Sequence, residues 1–161
     1  MKVRILELGE MVVDSVTQLS GMLTLANIDA DRNEFYFFQP ALISSETLHP
    51  VDGFWLEKSR IEGGKQVDVE LPLHVLGTVV VDKATGFSGT AIQVYYYQNG
   101  CVHLEVKPAG IVPKTGQPIP GKEFDIRRLK GEALVELTKK QLKASKEDAP
   151  SPELVTRRMN F

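Results

Sequence analysis

The sequence predicts a mainly β protein made of two small β-barrels in tandem, followed by a C-terminal helix and an extended arm. One observation is a repeat: the stretch from Leu8 to Gly63 recurs as Leu76 to Gly131 after a shift of 68 residues, without a gap. The other is spacing, because short β-branched or aromatic runs alternate with turn residues roughly every ten positions, as in small barrels and sandwiches. Together these observations favour one scaffold used twice.

The repeat is supported by sixteen identities over fifty-six aligned positions. They include turn residues as well as apolar residues, which are the positions that a shared backbone dictates. A unit of about 56 residues has a small core and is marginal alone, so we expect the two copies to pack on each other. The identical pairs are Leu8/Leu76, Gly9/Gly77, Val12/Val80, Val13/Val81, Asp14/Asp82, Thr17/Thr85, Ser20/Ser88, Gly21/Gly89, Pro40/Pro108, Ala41/Ala109, Ile43/Ile111, Thr47/Thr115, Pro50/Pro118, Gly53/Gly121, Arg60/Arg128 and Gly63/Gly131.

In the first copy, the run EFYFFQ is the strongest strand signal because aromatic residues suit a half-buried pleated surface. Pro40 ends this strand, since proline has no N–H to give to a ladder. The polar run DADRN before it predicts a hairpin loop. The expected elements are strands over Met1–Glu7, Glu10–Thr17, Met22–Ile28, Glu34–Gln39 and Gly53–Leu56, with a 3₁₀ turn over Ser59–Ile61.

The second copy repeats this pattern with clearer turn signals. Gly86 and Gly89 mark one turn, and Gln98-Asn99-Gly100 marks a hairpin. In CVHLEVK, alternation places Cys101, His103 and Glu105 on one face of a strand. The expected strands are Thr78–Asp82, Thr90–Tyr97 and Cys101–Lys107, followed by a stiff proline-containing loop over Ile111–Gly121.

Two regions lie outside the copies. The connector contains QVDVELPL, whose alternation predicts an added strand. After the second copy, EALVELTKKQLKAS has the composition of an amphipathic helix that ends before Ala149–Pro152. The final ELVTRRMNF is either a frayed end or an arm that docks on a neighbouring subunit. The predicted domains are a first barrel over 1–63, a connector over 64–75, a second barrel over 76–131 and the helix with its arm over 132–161.

Composition limits the classes of function. With a net charge of −2, the chain has no general electrostatic attraction to nucleic acid or to an anionic membrane. The single cysteine, Cys101, excludes an intramolecular disulfide and a cysteine-built zinc site. No run approaches the roughly 18 apolar residues of a spanning helix, and the first residues lack the pattern of a signal peptide. We therefore expect no cofactor, no metal and no membrane, and a protein made inside the cell.

Several residues invite a chemical role. Asp14 and Asp82 each precede a threonine by three residues, so we interpret them as fixing a turn through side chain to backbone bonds. Cys101 and His103 share a strand face, but nucleophilic catalysis needs close contact and a third orienting group. The run Tyr95–Tyr97 predicts barrel core and hairpin packing, with base stacking as the alternative.

Contact roles are assigned to a few aromatic and basic residues. Trp55 matches Glu123 in the alignment, so the fold does not require an aromatic group there, and an exposed tryptophan suits a partner interface. The candidate partner contacts are Phe54, Trp55, Tyr96 and Phe161, and the candidate anion contacts are Arg60 and Arg128.

The second copy also carries a sequence motif in three parts: D-K-x-T-G-F-x-G, then G-C, then F-D-x-x-R-L. The pattern resembles that of a small family of bacteriophage-encoded proteins of unassigned role, and its glycine-punctuated turns resemble SH3-like barrels. The likeness covers about a third of the chain, and the first copy departs from it. The matching residues are Asp82, Lys83, Thr85, Gly86, Phe87, Gly89, Gly100, Cys101, Phe124, Asp125, Arg128 and Leu129.

The resemblance implies phage origin, and the residues favour contact with other molecules over catalysis. We expect a virion accessory protein, such as a capsid decoration or head–tail component, found in the host cytoplasm and then in the virion. Its partners would be other phage structural proteins or further copies of itself. One alternative is an anti-defence protein that sequesters a signal nucleotide or blocks a host enzyme. Another is a KOW-like nucleic-acid binder, and an enzyme comes last.

Overall fold

A computed structural model describes residues 1–134 of the chain. These residues are mainly β, as predicted, and their helical segments are short 3₁₀ turns. The first three residues of the predicted helix, Glu132–Leu134, form such a turn, while the rest of that prediction and the arm with Phe161 lie outside the described residues. The strands are β1 (Lys2–Leu6), β2 (Met11–Asp14), β3 (Ser20–Asp29), β4 (Glu34–Pro40), β5 (Phe54–Glu57), β6 (Ile61–Glu62), β7 (Gln66–Glu70), β8 (Val79–Asp82), β9 (Ser88–Tyr97), β10 (Val102–Lys107), β11 (Lys122–Asp125) and β12 (Leu129–Lys130).

The strands form two antiparallel sheets. The connector strand β7 is present as predicted and pairs with β1, and the other ten strands form one sheet. In that sheet β3 pairs with β4 along one edge and with β2 and then β9 along the other. The predicted barrels are not closed in residues 1–134, because β3 and β9 use their edges to pair with each other and the two halves merge into an open sheet.

Elements of the first half recur in the second half at the predicted shift. β2 and β8 have the same alternation of burial, with Val12 and Val80 facing the core. β3 and β9 each run for ten residues from a serine, Ser20 and Ser88. The long loops that follow β4 and β10 each close through one isolated bridge, Ile43–Pro50 in the first and Ile111–Pro118 in the second.

The ladder between β3 and β9 joins the halves through matching segments. Leu25 pairs with Tyr97, Asn27 with Tyr95 and Asp29 with Gln93. Residues 25–29 correspond to residues 93–97 under the shift of 68, so this register is symmetric about the Asn27–Tyr95 pair. Each half therefore contributes the same stretch of strand to the junction.

One side of the large sheet is core. Residues directly opposed in an antiparallel ladder face the same side. A buried row runs through Ile28, Val94, Leu104 and Phe124 on four neighbouring strands. Because side chains alternate along a strand, the residues between these positions face away from the core. We call that opposite side the outer face.

Candidate interaction face

The outer face spans six neighbouring strands, from β5 through β4, β3, β9 and β10 to β11. The register lines its side chains up in rows that cross both halves of the chain. The bulges in this part of the sheet lie outside these rows. The outer face consists of Leu25, Asn27, Asp29, Phe35, Phe37, Trp55, Glu57, Gln93, Tyr95, Tyr97, His103, Glu105, Glu123 and Asp125.

Aromatic rings dominate the part of this face that belongs to the first half. Trp55 is 43% exposed and packs edge-on against Phe37, with ring centroids 5.4 Å apart. It also reaches Tyr95 of the second half at 6.3 Å. Offset and edge-to-face ring pairs of this kind add stability beyond the area they bury. The rings thus form a partly exposed apolar patch that crosses the junction.

A polar cluster occupies the part of the face that belongs to the second half. The Nδ1 atom of His103 lies 2.7 Å from the Glu123 carboxylate, and the Tyr97 hydroxyl donates to the same carboxylate. The rings of Tyr97 and His103 are in tilted contact, with centroids 4.7 Å apart. Asp125 lies 3.9 Å from the Nε2 atom of His103, and its carboxylate also accepts bonds from Arg127.

The carboxylates of this cluster affect their neighbours electrostatically. Burial, together with the charges of Glu105 and Glu123, raises the pKa of Tyr95 to about 12. Burial and the hydrogen bond to Glu123 also raise the pKa of Tyr97. The guanidinium of Arg127 lowers the pKa of Asp125 by bonding to its carboxylate. At neutral pH both tyrosines are therefore uncharged donors on an acidic surface.

Cys101 and His103 make separate contacts. Cys101 is partly buried, and no hydrogen bond joins it to His103 within residues 1–134. His103 bonds to Glu123 instead, across an open sheet surface. Among the described residues no group of three or more histidine, cysteine or acidic side chains is arranged to hold a metal ion.

The two aspartates fix turns, as predicted. Asp14 accepts hydrogen bonds from the backbone of Val16 and Thr17 and from the Thr17 hydroxyl. Asp82 accepts the corresponding bonds from Ala84 and Thr85. Both aspartate side chains are fully buried, which is costly for a charge unless partners surround it.

Sequence reasoning missed the cationic partner of each aspartate. Arg60 donates through Nε and Nη2 to Asp14 at 3.1 and 2.7 Å, and Arg128 donates to Asp82 at 3.0 and 2.7 Å. These bidentate bonds are the main reason that the pKa of each carboxyl falls well below its usual range. The signal was available, because Asp and Arg recur together at the same spacing in both copies.

These contacts bear on the candidate anion ligands. Arg60 and Arg128 keep 35% and 50% of their side-chain surface exposed, but two donors of each guanidinium are used by an aspartate. Their contact with a phosphate stays a prediction. The pairing with a buried aspartate is a structural reason for an arginine at this position in both halves.

The candidate partner contacts separate onto different sides. Trp55 lies on the outer face, whereas Phe54 and Tyr96 point to the other side and pack against the core. Phe161 lies outside the described residues. The structure instead brings Tyr95 and Tyr97 to the outer face. Alternation along the strand predicts that these two tyrosines face the opposite side from Tyr96, but only the strand register determines which side is the outer one.

Within residues 1–134, no helix has the length and apolar character needed to cross a membrane. No protein-family model matches the chain, and neither the curated proteins nor the solved structures give a significant match.

Proposed function

We propose that this protein is a non-enzymatic interaction protein of a bacteriophage virion, and that it binds a neighbouring protein through its outer face. The observation that carries the proposal is the exposed ring of Trp55 within a patch of partly exposed aromatic residues. Large rings held by packing and left accessible to solvent are typical anchors of protein interfaces. Glu123 at the matching position of the second half indicates that the fold itself does not need the tryptophan.

We further propose that the two halves arose by duplication of one SH3-like unit. The support is the matching of strand bounds, buried ion pairs and loop bridges at one constant shift. The symmetric register between β3 and β9 is what a two-fold contact between identical units produces. On this proposal, a former contact between two subunits became the junction within one chain.

The virion role rests on the likeness of the second half to phage-encoded proteins and on the contact face. A capsid or tail presents the same partner many times, so a modest contact gains avidity by repetition. We place the protein first in the host cytoplasm and then on assembled particles, as a capsid decoration or head–tail component. Further copies of this chain are an additional candidate partner.

The test is mass spectrometry of gradient-purified particles from cells infected with the phage that carries the gene. The protein should be present at a fixed ratio to the capsid subunit. Trp55→Ala should lower that ratio at least about tenfold, because loss of an interface anchor commonly costs 2 kcal/mol or more, about thirtyfold in affinity.

The control is Val16→Ala, which trims another exposed apolar side chain, in a turn away from the outer face. It should leave the ratio unchanged. Absence of the wild-type protein from purified particles would refute the virion role, and equal losses from the two variants would refute the role of the outer face.

A further inference from the structure

The outer face carries an excess of negative charge. Its side chains include five carboxylates and no lysine or arginine. Arg127 is the one guanidinium bonded to these carboxylates within the described residues, and it is committed to Asp125. The carboxylates are Asp29, Glu57, Glu105, Glu123 and Asp125.

Two of these carboxylates have no partner in the described part of the chain. The Asp29 carboxylate accepts hydrogen bonds from residues of its own hairpin, and the Glu123 carboxylate is bonded to His103 and Tyr97. Neither Glu57 nor Glu105 makes a hydrogen bond or ion pair within residues 1–134. Glu105 is partly buried and has no cationic partner among residues 1–134, so its carboxylate is free to pair with a bound cation.

The unpaired carboxylates lie on either side of the aromatic patch. Glu57 is on β5 and Glu105 is on β10, four strand spacings apart, which amounts to roughly 19 Å. Phe35 and Tyr95 lie on strands between them, and Trp55, on β5 beside Glu57, reaches Tyr95. An extended polypeptide of about six residues covers this distance.

We propose that the outer face binds an extended polypeptide segment with arginine side chains, one of which stacks on the Trp55 and Tyr95 rings and pairs with Glu105. This inference rests on the proposed function and names the chemistry of its partner. Arginine suits the site better than lysine because its planar guanidinium stacks on aromatic faces and bonds to a carboxylate through two donors. Nucleic acid does not suit it, because five carboxylates repel a phosphate backbone.

The chain contains its own reporter for a test. Trp55 is the one tryptophan of the sequence, so intrinsic emission of the full chain reports on the proposed site. The probe is a synthetic octapeptide of alternating arginine and glycine, with lysine and glutamate versions for comparison. We expect a saturable change in emission with the arginine peptide, binding about tenfold weaker with lysine, and no binding with glutamate.

A matched pair of variants tests the contact itself. Glu105→Gln should weaken binding of the arginine peptide at least about tenfold, and added salt should weaken binding to the wild type. Glu46→Gln removes an exposed carboxylate from the loop after β4, away from the outer face, and should change neither. Circular dichroism of both variants establishes that they are folded.

Three results would overturn the inference: no saturable change with the arginine peptide, equal effects of the two variants, or saturable binding of an uncharged oligosaccharide in place of the peptide. The titration uses no virus particle. Absence of the protein from purified virions would therefore remove the proposed virion role and leave the peptide result to stand or fall separately.

Discussion

Matching positions of the two halves differ most on the outer face. Where the first half has Trp55, Phe37 and Phe35, the second has Glu123, Glu105 and His103. The junction between β3 and β9 places these two sets side by side on one surface. A single unit would present one chemistry, whereas the joined sheet presents an apolar patch next to an acidic cluster.

The buried ion pairs show the opposite behaviour. Asp14 and Asp82 make the same bonds to their turns and to an arginine 46 residues later. Each ion pair ties a turn to the 3₁₀ segment that ends at its arginine, Lys58–Arg60 or Ile126–Arg128, so we expect its loss to loosen one end of the half. The two halves therefore share their buried turn contacts and differ in the side chains of the outer face.

The largest effect is expected from breaking these buried pairs. Arg60→Met and Arg128→Met each leave a fully buried carboxylate without its cation, which is strongly destabilising. The two substitutions should lower the urea midpoint by similar amounts, because the two sets of contacts are the same.

Arg127→Met is the control for the buried pairs. It removes an exposed pair with Asp125 and should cost less than about 1 kcal/mol of unfolding free energy. A control variant as unstable as the other two would show that burial of the aspartates is not what matters. A large difference between Arg60→Met and Arg128→Met would break the equivalence of the halves.

Acid should unfold the protein through the same two groups. The pKa of Asp14 and of Asp82 is lower in the folded chain than the usual value of about 3.9, so the unfolded chain takes up protons first as the pH falls. Their contribution to stability is complete above that value and is lost as the pH falls through the folded pKa. Urea midpoints measured from pH 7 to pH 2 should fall steeply below about pH 4.

The double variant Asp14→Asn/Asp82→Asn tests this assignment. It should be less stable at pH 7 and should show a flatter dependence below pH 4, because the two titrating groups are gone. An unchanged slope would assign the acid sensitivity to other carboxylates.

Periodicity in the sequence was enough to predict most strands, though not β6, β11 and β12, and the Asp–Thr spacing predicted the turn contacts of the two aspartates, because these are local properties of the chain. It was not enough to predict the pairing of β3 with β9, because that pairing joins residues that are far apart in the sequence, such as Leu25 and Tyr97. For the same reason the sequence did not predict the aromatic patch, because Tyr95 and Trp55 share a face only through that pairing. A closed barrel in each half would need both edges of β3 and of β9 to pair within that half, whereas these strands pair with each other.

The halves also differ at three turn positions where the backbone is left-handed. In the first half these positions hold Gln18, Arg32 and Leu48, with φ values of 61°, 67° and 59°. In the second half the matching residues are all glycines, Gly86, Gly100 and Gly116. A side chain costs about 1 kcal/mol in this conformation, and glycine avoids most of that cost.

The smallest effect expected is therefore a gain in stability. Arg32→Gly and Leu48→Gly should each raise the unfolding free energy by up to about 1 kcal/mol, measured in urea. The reverse changes, Gly100→Arg and Gly116→Leu, should lower it by a similar amount. If glycine proves neutral or harmful at residue 48, the side chain of Leu48 has a stabilising contact that offsets its strain.

Leu48 makes this comparison more informative than Arg32 does. It is 78% exposed, in a loop whose backbone bonds are matched around Gly116, so the loop does not need a leucine to keep its shape. Arg32→Gly relieves the same backbone strain without removing an apolar side chain, and it serves as the matched control. A loss of particle binding by Leu48→Gly, with stability raised and Arg32→Gly unaffected, would extend the contact surface from the outer face to this loop. Equal binding by both variants would confine the contact surface to the sheet.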